Sequence, residues 1–162
     1  MKDSRRLVIY ALLMALTTVM TMVVQIPTPT AYGYLNLGDM VVFMAAFMYG
    51  KKAGFVVGGI GSAIADILLG WGAYAPITLV VKGLEGFIAG LLLETSWGKK
   101  MKFIPPLVGA LVMASGYYFA EIFMYGAKAA IVNFPANAMQ GLFGAFSAII
   151  LWNVLKNKIR IN

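Results

Sequence analysis

An all-α membrane protein, a single bundle of six transmembrane helices formed by residues 1–162 with both termini cytoplasmic, is the fold class this sequence predicts. Three observations predict it. The chain is 61% hydrophobic with a mean hydropathy of +0.84, and its thirteen Lys and Arg and six Asp and Glu are too few to cover a soluble globule of this size. The apolar stretches recur at roughly 20-residue spacing, the length of a bilayer crossing, so one signal peptide or anchor does not account for them. The cations fall in alternate loops.

Taken in order, the helices are predicted at about 7–25, 37–50, 53–70, 76–95, 104–126 and 135–156. Turn residues mark the breaks. Pro27, Pro29 and Gly33 interrupt the first gap, Gly50-Lys51-Lys52 the second and Gly70-Trp71-Gly72 the third. Gly98-Lys99-Lys100 with Pro105-Pro106 marks the fourth, and Gly126 with Pro135 the fifth. The second stretch is short, and a re-entrant or strongly buried helix is the alternative there. Residues 26–38, rich in Pro, Gly and Tyr, lie over the outer mouth and read either as a plain connector or as a lid that orders over a ligand.

Lys2, Arg5 and Arg6, then Lys51 and Lys52, then Lys99, Lys100 and Lys102, then Lys156, Lys158 and Arg160 all fall on one side of this topology. Only Lys128 lies in an opposite loop, and Lys82 lies inside a span. Cytoplasmic loops retain Lys and Arg, so that side is cytoplasmic. The net charge of +7 reflects this bias and contact with lipid headgroups, not nucleic-acid binding. Cys and His are absent, which removes disulfides, thiol nucleophiles and the commonest metal ligands, and nothing calls for a cofactor. No GxxxxGK[ST], GxSxG or HExxH motif occurs, so an enzyme is not expected, and energy for concentrating a solute must come from another polypeptide or an ion gradient.

Ionisable groups within a membrane are costly and usually face a cavity or a partner. Asp39 opens the second helix, Asp66 lies near the outer end of the third, and Lys82 and Glu85 lie two to three turns into the fourth. Glu121 lies just over a turn from the outer end of the fifth, and Asn137 and Gln140 open the sixth. All fall in roughly the outer half of the bilayer at ~1.5 Å per residue, describing a polar cavity toward the outside, closed below by apolar packing. Lys82 and Glu85, at i,i+3, also read simply as a neutralising pair. Asp39, following Asn36-Leu37-Gly38, also reads as a helix-start acid. Tyr32, Tyr34, Trp71, Tyr74, Tyr117 and Tyr118 supply aromatic faces at the same level; most such residues anchor the interface, while two or three are expected to stack on a small planar heterocycle. Small residues at four-residue spacing, Gly54, Gly58 and Ser62 with Gly86 and Gly90, permit close helix crossing, and Ala11 and Ala15 offer a strip on the first helix for a second membrane protein.

These pieces resemble the substrate-binding S component of energy-coupling factor (ECF) vitamin transporters. The resemblance is carried by Ala11-Leu12-Leu13-Met14-Ala15, by Ile26-Pro27 through Tyr34-Leu35-Asn36-Leu37-Gly38-Asp39, and by Gly59-Ile60-Gly61-Ser62-Ala63 with Asp66. It continues through Pro76 with Lys82-Gly83-Leu84-Glu85-Gly86, Gly116-Tyr117-Tyr118 with Glu121, and Pro135-Ala136-Asn137 with Gln140, in an order and spacing that span the chain. It implies a six-helix fold with a vitamin pocket near the outer face, for riboflavin, pyridoxine or hydroxymethylpyrimidine. It further implies association with a transmembrane coupling protein, through Ala11 and Ala15, and with two cytoplasmic ATPases. The expected binding set is Lys82, Glu85, Tyr117, Tyr118, Glu121, Asn137 and Gln140, with Tyr34 and Asn36 from the first loop. A stand-alone transporter relaying protons through Asp66, Glu85 and Glu121, and a scaffold whose polar groups only lock helices together, are the competing readings.

Overall fold

In a computed structural model, residues 2–30 and 33–158 are described, with side chains from residue 4 onward; Tyr32 and Arg160 lie outside the described residues. The elements are α1 (Lys2–Val23), β1 (Ile26–Pro27), β2 (Tyr34–Leu35), α2 (Gly38–Leu68), α3 (Ala75–Glu94), α4 (Ser96–Lys100), α5 (Ile104–Tyr125) and α6 (Ala127–Leu155). Five of these helices are long and apolar enough to cross a membrane.

The second and third expected helices are both contained in α2, which is broken at Gly50 (φ 78°, ψ −167°). That backbone conformation suits glycine, which lacks a Cβ to clash. Val41 and Ala45 pack with Ala53 and Val57, and a Cβ on Gly58 would lie 2.8 Å from Val42 Cγ1, so the halves fold back against one another. The first half, residues 38–49, rises only about 18 Å, short of a ~30 Å hydrocarbon core. Its Val41 to Ala46 are all buried, so it is the strongly buried helix that its length suggested. Glu94, ending α3, pairs with Lys51 at 2.9 Å and accepts from the Lys51 N–H at 3.3 Å, placing a carboxylate at the start of the second half, where the helix dipole favours it.

The small-residue strip sets the α2–α3 contact. A Cβ on Gly54 would lie 2.2 Å from the Gly86 carbonyl oxygen, and one on Gly86 2.3 Å from that of Gly54. Gly58 meets the Lys82 carbonyl in the same way. The backbones therefore touch, and this draws Lys82 into the interior. Ala11 and Ala15, by contrast, are exposed on α1.

Two boundaries differ from expectation. Pro135 does not begin the last helix; α6 starts at Ala127 after Gly126 (φ 88°) and carries Pro135 inside it. A membrane helix tolerates the hydrogen bond that proline removes because neighbouring helices satisfy the freed groups. Asn137 and Gln140 consequently lie about three turns into α6 instead of opening it, and Asn133 becomes helical. The first loop is also more than a connector. Ile26 pairs with Leu35 and Pro27 with Tyr34 in a short antiparallel ribbon, and the Thr28 N–H donates to the Gly33 carbonyl at 3.0 Å.

The main apolar core, Phe43, Met44, Ala46, Ala89, Ala110, Ala145 and Ala148, lies on the side of the bundle toward Gly50, α4 and the end of α6. That end carries Lys51, Lys52, Lys99, Lys100, Lys102, Lys156 and Lys158, with Lys102 Nζ over the Trp152 ring at 5.8 Å. The polar side chains gather at the other end.

Candidate functional site

At the end away from the lysines, α1, α2, α3, α5, α6 and the ribbon line a cavity of about 40 Å³. Lys82 and Glu85 project from one face of α3, and the close α2–α3 crossing leaves both within the protein, 2% and 0% exposed. Lys82 Nζ forms an ion pair with Asp39 and lies 3.3 Å from Glu85 Oε2. Asp39 occupies the first turn of α2, yet its carboxylate is engaged by side chains: Lys82 holds Oδ1, and the Gln140 Nε2–H donates to Oδ2 at 3.0 Å. Gln140 Oε1 accepts from the Asn36 N–H at 2.9 Å, and Asn36 Oδ1 accepts from the Gly38 N–H at 2.9 Å. A continuous hydrogen-bonded path thus runs from the first loop through α6 and α2 to the buried ammonium of α3.

A second polar group sits where α5 meets α6. Asn133 Nδ2 donates to Glu121 Oε2 at 3.0 Å, and Asn133 Oδ1 accepts from the Thr30 hydroxyl of the ribbon at 2.8 Å. Across the cavity the Tyr34 hydroxyl donates to Asp66 Oδ1 at 2.6 Å. Burial, reinforced by that carboxylate, pushes the Tyr34 phenol above its ordinary range, so it stays a donor at physiological pH. Aromatic rings form the wall: Tyr34 to Trp71, Trp71 to Tyr74 and Tyr74 to Tyr117 lie 5.9, 6.1 and 6.4 Å apart between centroids. The Tyr117 hydroxyl donates to Thr78 at 3.0 Å, and Lys82 Nζ lies 5.9 Å from the centre of its ring.

Thr21 Oγ1, Asp66 Oδ2 and Asn137 Nδ2 are buried atoms of residues lining the cavity, and none finds a hydrogen-bond partner among the described residues. Unsatisfied buried polar atoms are costly, and three around one hollow mark where water or a ligand completes the bonding.

Of the expected set, Lys82, Tyr117, Glu121, Asn137, Gln140, Tyr34 and Asn36 line the cavity. Two do not. Glu85 is fully buried and does not line the hollow; it reaches the site through Lys82, whose Nζ lies 3.3 Å from its Oε2. Tyr118, one residue from Tyr117, is turned about 100° around α5, and its ring packs on Phe119 and Phe134 at 5.5 and 5.7 Å. The lining also includes Thr21, Thr28 and Thr78, to which the sequence gives no signal, Ser62, which it marks only as a small packing residue, and Asp66, Trp71 and Tyr74, which it marks outside the expected set.

The family model for the ECF-type riboflavin transporter S component matches residues 1–157. The chain is 36% identical over 144 residues to a protein of Pyrococcus woesei described as an uncharacterized protein in gap 3'region, covering 88% of this chain and 95% of that one. It is 30% identical over 151 residues to the thiamine precursor transporter HmpT of Lactococcus lactis subsp. cremoris (strain MG1363), covering 93% and 87%. Among solved structures, the S component of a bacterial ECF transporter superposes with a TM-score of 0.78 at 20% identity, covering 96% of this chain and 97% of that chain, a likeness of fold.

Proposed function

The chain belongs to the S components of ECF-type riboflavin transporters, a family of vitamin-transport subunits and not of enzymes, and on that footing we propose that it binds one small water-soluble vitamin with high affinity and carries it across the membrane as the substrate-specific subunit of an ATP-driven importer. The ligand is a planar heterocycle of the riboflavin, pyridoxine or hydroxymethylpyrimidine type; the similarity to a thiamine precursor transporter keeps the last of these in view. The observation that carries the reading is the convergence of Lys82, Glu121, Asn137 and Gln140, from three helices, on one aromatic-walled hollow with unpartnered polar atoms.

In this reading Glu121, Asn137 and Gln140 hydrogen-bond the ring's substituents, Tyr117 and Tyr34 offer stacking faces, and Lys82, held by Asp39 and Glu85, supplies a fixed positive centre at the base. Asn36 holds the ribbon over the mouth as a lid. The membrane is a prokaryotic plasma membrane. The chain passes between the two faces six times, counting both halves of α2, of which the first does so as a short helix buried within the protein, and the lysine-rich end with both termini faces the cytoplasm. The cavity then opens outward, and the apolar core around Phe43 and Ala145 closes it below. A transmembrane coupling protein docks along the exposed Ala11 and Ala15 of α1 and connects the chain to two cytoplasmic ATPase subunits.

Titration of the purified protein with the three vitamins tests the assignment. One of them is expected to bind with a Kd of ~1 µM or tighter, and Glu121→Leu to weaken it at least ~10-fold. An unchanged affinity in that variant removes the site assignment. Gradient-driven uptake by the chain alone in liposomes removes the subunit role.

A further inference from the structure

We infer that the site selects a ligand bringing positive charge or several N–H donors, a basic amino-substituted nitrogen heterocycle, over a neutral ring of the same shape and over any phosphorylated form. The inference rests on the vitamin-binding reading above and narrows its ligand. Four of the chain's six acidic residues, Asp39, Asp66, Glu85 and Glu121, are gathered in or directly beneath the cavity, and Lys82 is the one cation among them. Lys82 is already committed to Asp39 and Glu85. Asp66 and Glu121 are therefore left with uncharged partners, a phenol in one case and a primary amide in the other. Both are buried, at 5% and 3% exposure, where water contributes little to holding an ionised carboxylate.

An acidic excess in a dry site makes a ligand with donors or a proton the complementary one, and repels an anion. The orphaned atoms agree. Asp66 Oδ2 is an acceptor without a donor, and Asn137 Nδ2, beside Glu121, carries two N–H groups, one of which an acceptor on the ligand, such as a ring nitrogen or a hydroxyl, can take. A ring with an amino group toward the carboxylates and a hydroxymethyl group toward Asn137 meets both. A phosphate group would place two further negative charges beside Asp66 and Glu121 with no free cation, among the described residues, to meet them.

The test is a calorimetric titration of the detergent-purified full chain with four probes: a hydroxymethyl aminopyrimidine, the same ring with oxo in place of amino, the phosphate monoester of the aminopyrimidine, and riboflavin. The aminopyrimidine is expected to bind at least ~10-fold tighter than its oxo counterpart, the value of one charge-assisted hydrogen bond, and at least ~100-fold tighter than its phosphate ester. Glu121→Gln, which keeps the shape and removes the charge, is expected to narrow the amino-to-oxo gap, with its thermal midpoint confirming a folded protein. Equal binding of the amino and oxo rings, or preference for riboflavin or the ester, overturns the inference and leaves the vitamin-binding reading standing. Binding of none of the four overturns the inference, and the vitamin-binding reading falls with it when pyridoxine, titrated alongside, also fails to bind.

Discussion

Lys82 is the side chain on which the buried charge cluster depends, and Lys82→Met tests that dependence with little change in volume. The substitution leaves Asp39 and Glu85, 1% and 0% exposed, without their cation. Asp39 keeps its bond from Gln140, whereas neither oxygen of Glu85 has a hydrogen-bond partner among the described residues, so Glu85 bears most of the loss. Removing one partner of a buried ion pair costs about 3–5 kcal/mol. For a chain of this size each kcal/mol shifts the thermal midpoint by about 2–4 °C, so a fall of roughly 6–20 °C is expected. The assay is thermal unfolding of the ligand-free protein in detergent, followed by the fluorescence of Trp71, Trp97 and Trp152. Adding Glu85→Gln to Lys82→Met is expected to restore part of the loss, because the orphaned charge is removed. A midpoint within about 2 °C of the original protein, or no recovery in the double variant, refutes the view that these groups are charged and mutually dependent.

Three other outcomes follow from the geometry. Gly54→Leu drives a side chain into the Gly86 carbonyl and is expected to cost at least ~3 kcal/mol, while Gly72→Ala, with open space around its Cβ position, stays within about 0.5 kcal/mol; paired thermal melts check both. Tyr34→Phe removes the ribbon's bond to Asp66 and is expected to raise the vitamin's dissociation rate roughly 10-fold in stopped-flow measurements, through a lid held one hydrogen bond less firmly. Ala11→Trp with Ala15→Trp is expected to leave vitamin affinity within about 2-fold while lowering uptake with the coupling module at least ~10-fold, since both alanines are exposed and neither lines the cavity.

What could be read from the sequence followed the cost of burying each group. A lysine, a glutamate or a primary amide in an apolar run is expensive enough in lipid to announce a partner, which is why Lys82, Glu121, Asn137 and Gln140 stood out. Thr21 and Thr78 did not, because a hydroxyl is cheap to bury and can bond back along its own helix, as Thr17 does to the Leu13 carbonyl at 3.0 Å. Asp39 read equally as a helix-start acid, since its partners lie 43 and 101 residues away and no local pattern reveals them. Tyr117 and Tyr118 were indistinguishable until the phase of α5 was known. Pro135 looked like a boundary because proline ends helices in water, a rule that weakens where neighbouring helices replace water as the partner.

The size of the hollow bears on how it works. An enclosed void that accepts benzene measures about 150 Å³, whereas this cavity is about 40 Å³, room for roughly three waters. Even a one-ring ligand therefore requires the walls to move, and helices whose glycine backbones touch have little freedom to do so. The ribbon does. It is tied across the mouth by three bonds, Tyr34 to Asp66, Thr30 to Asn133 and Asn36 to Gln140, worth together about 2–5 kcal/mol. Beyond the last of these lies a larger apolar hollow of about 250 Å³, between the loop and α6, that shares Asn36 and Gln140 with the polar cavity. Separating that pair joins the two spaces, and it also frees Gln140, which holds Asp39, which holds Lys82. Opening the lid thus loosens the charge cluster at the base, and a ligand that satisfies Asn137 and Asp66 has to offset both costs before it is retained.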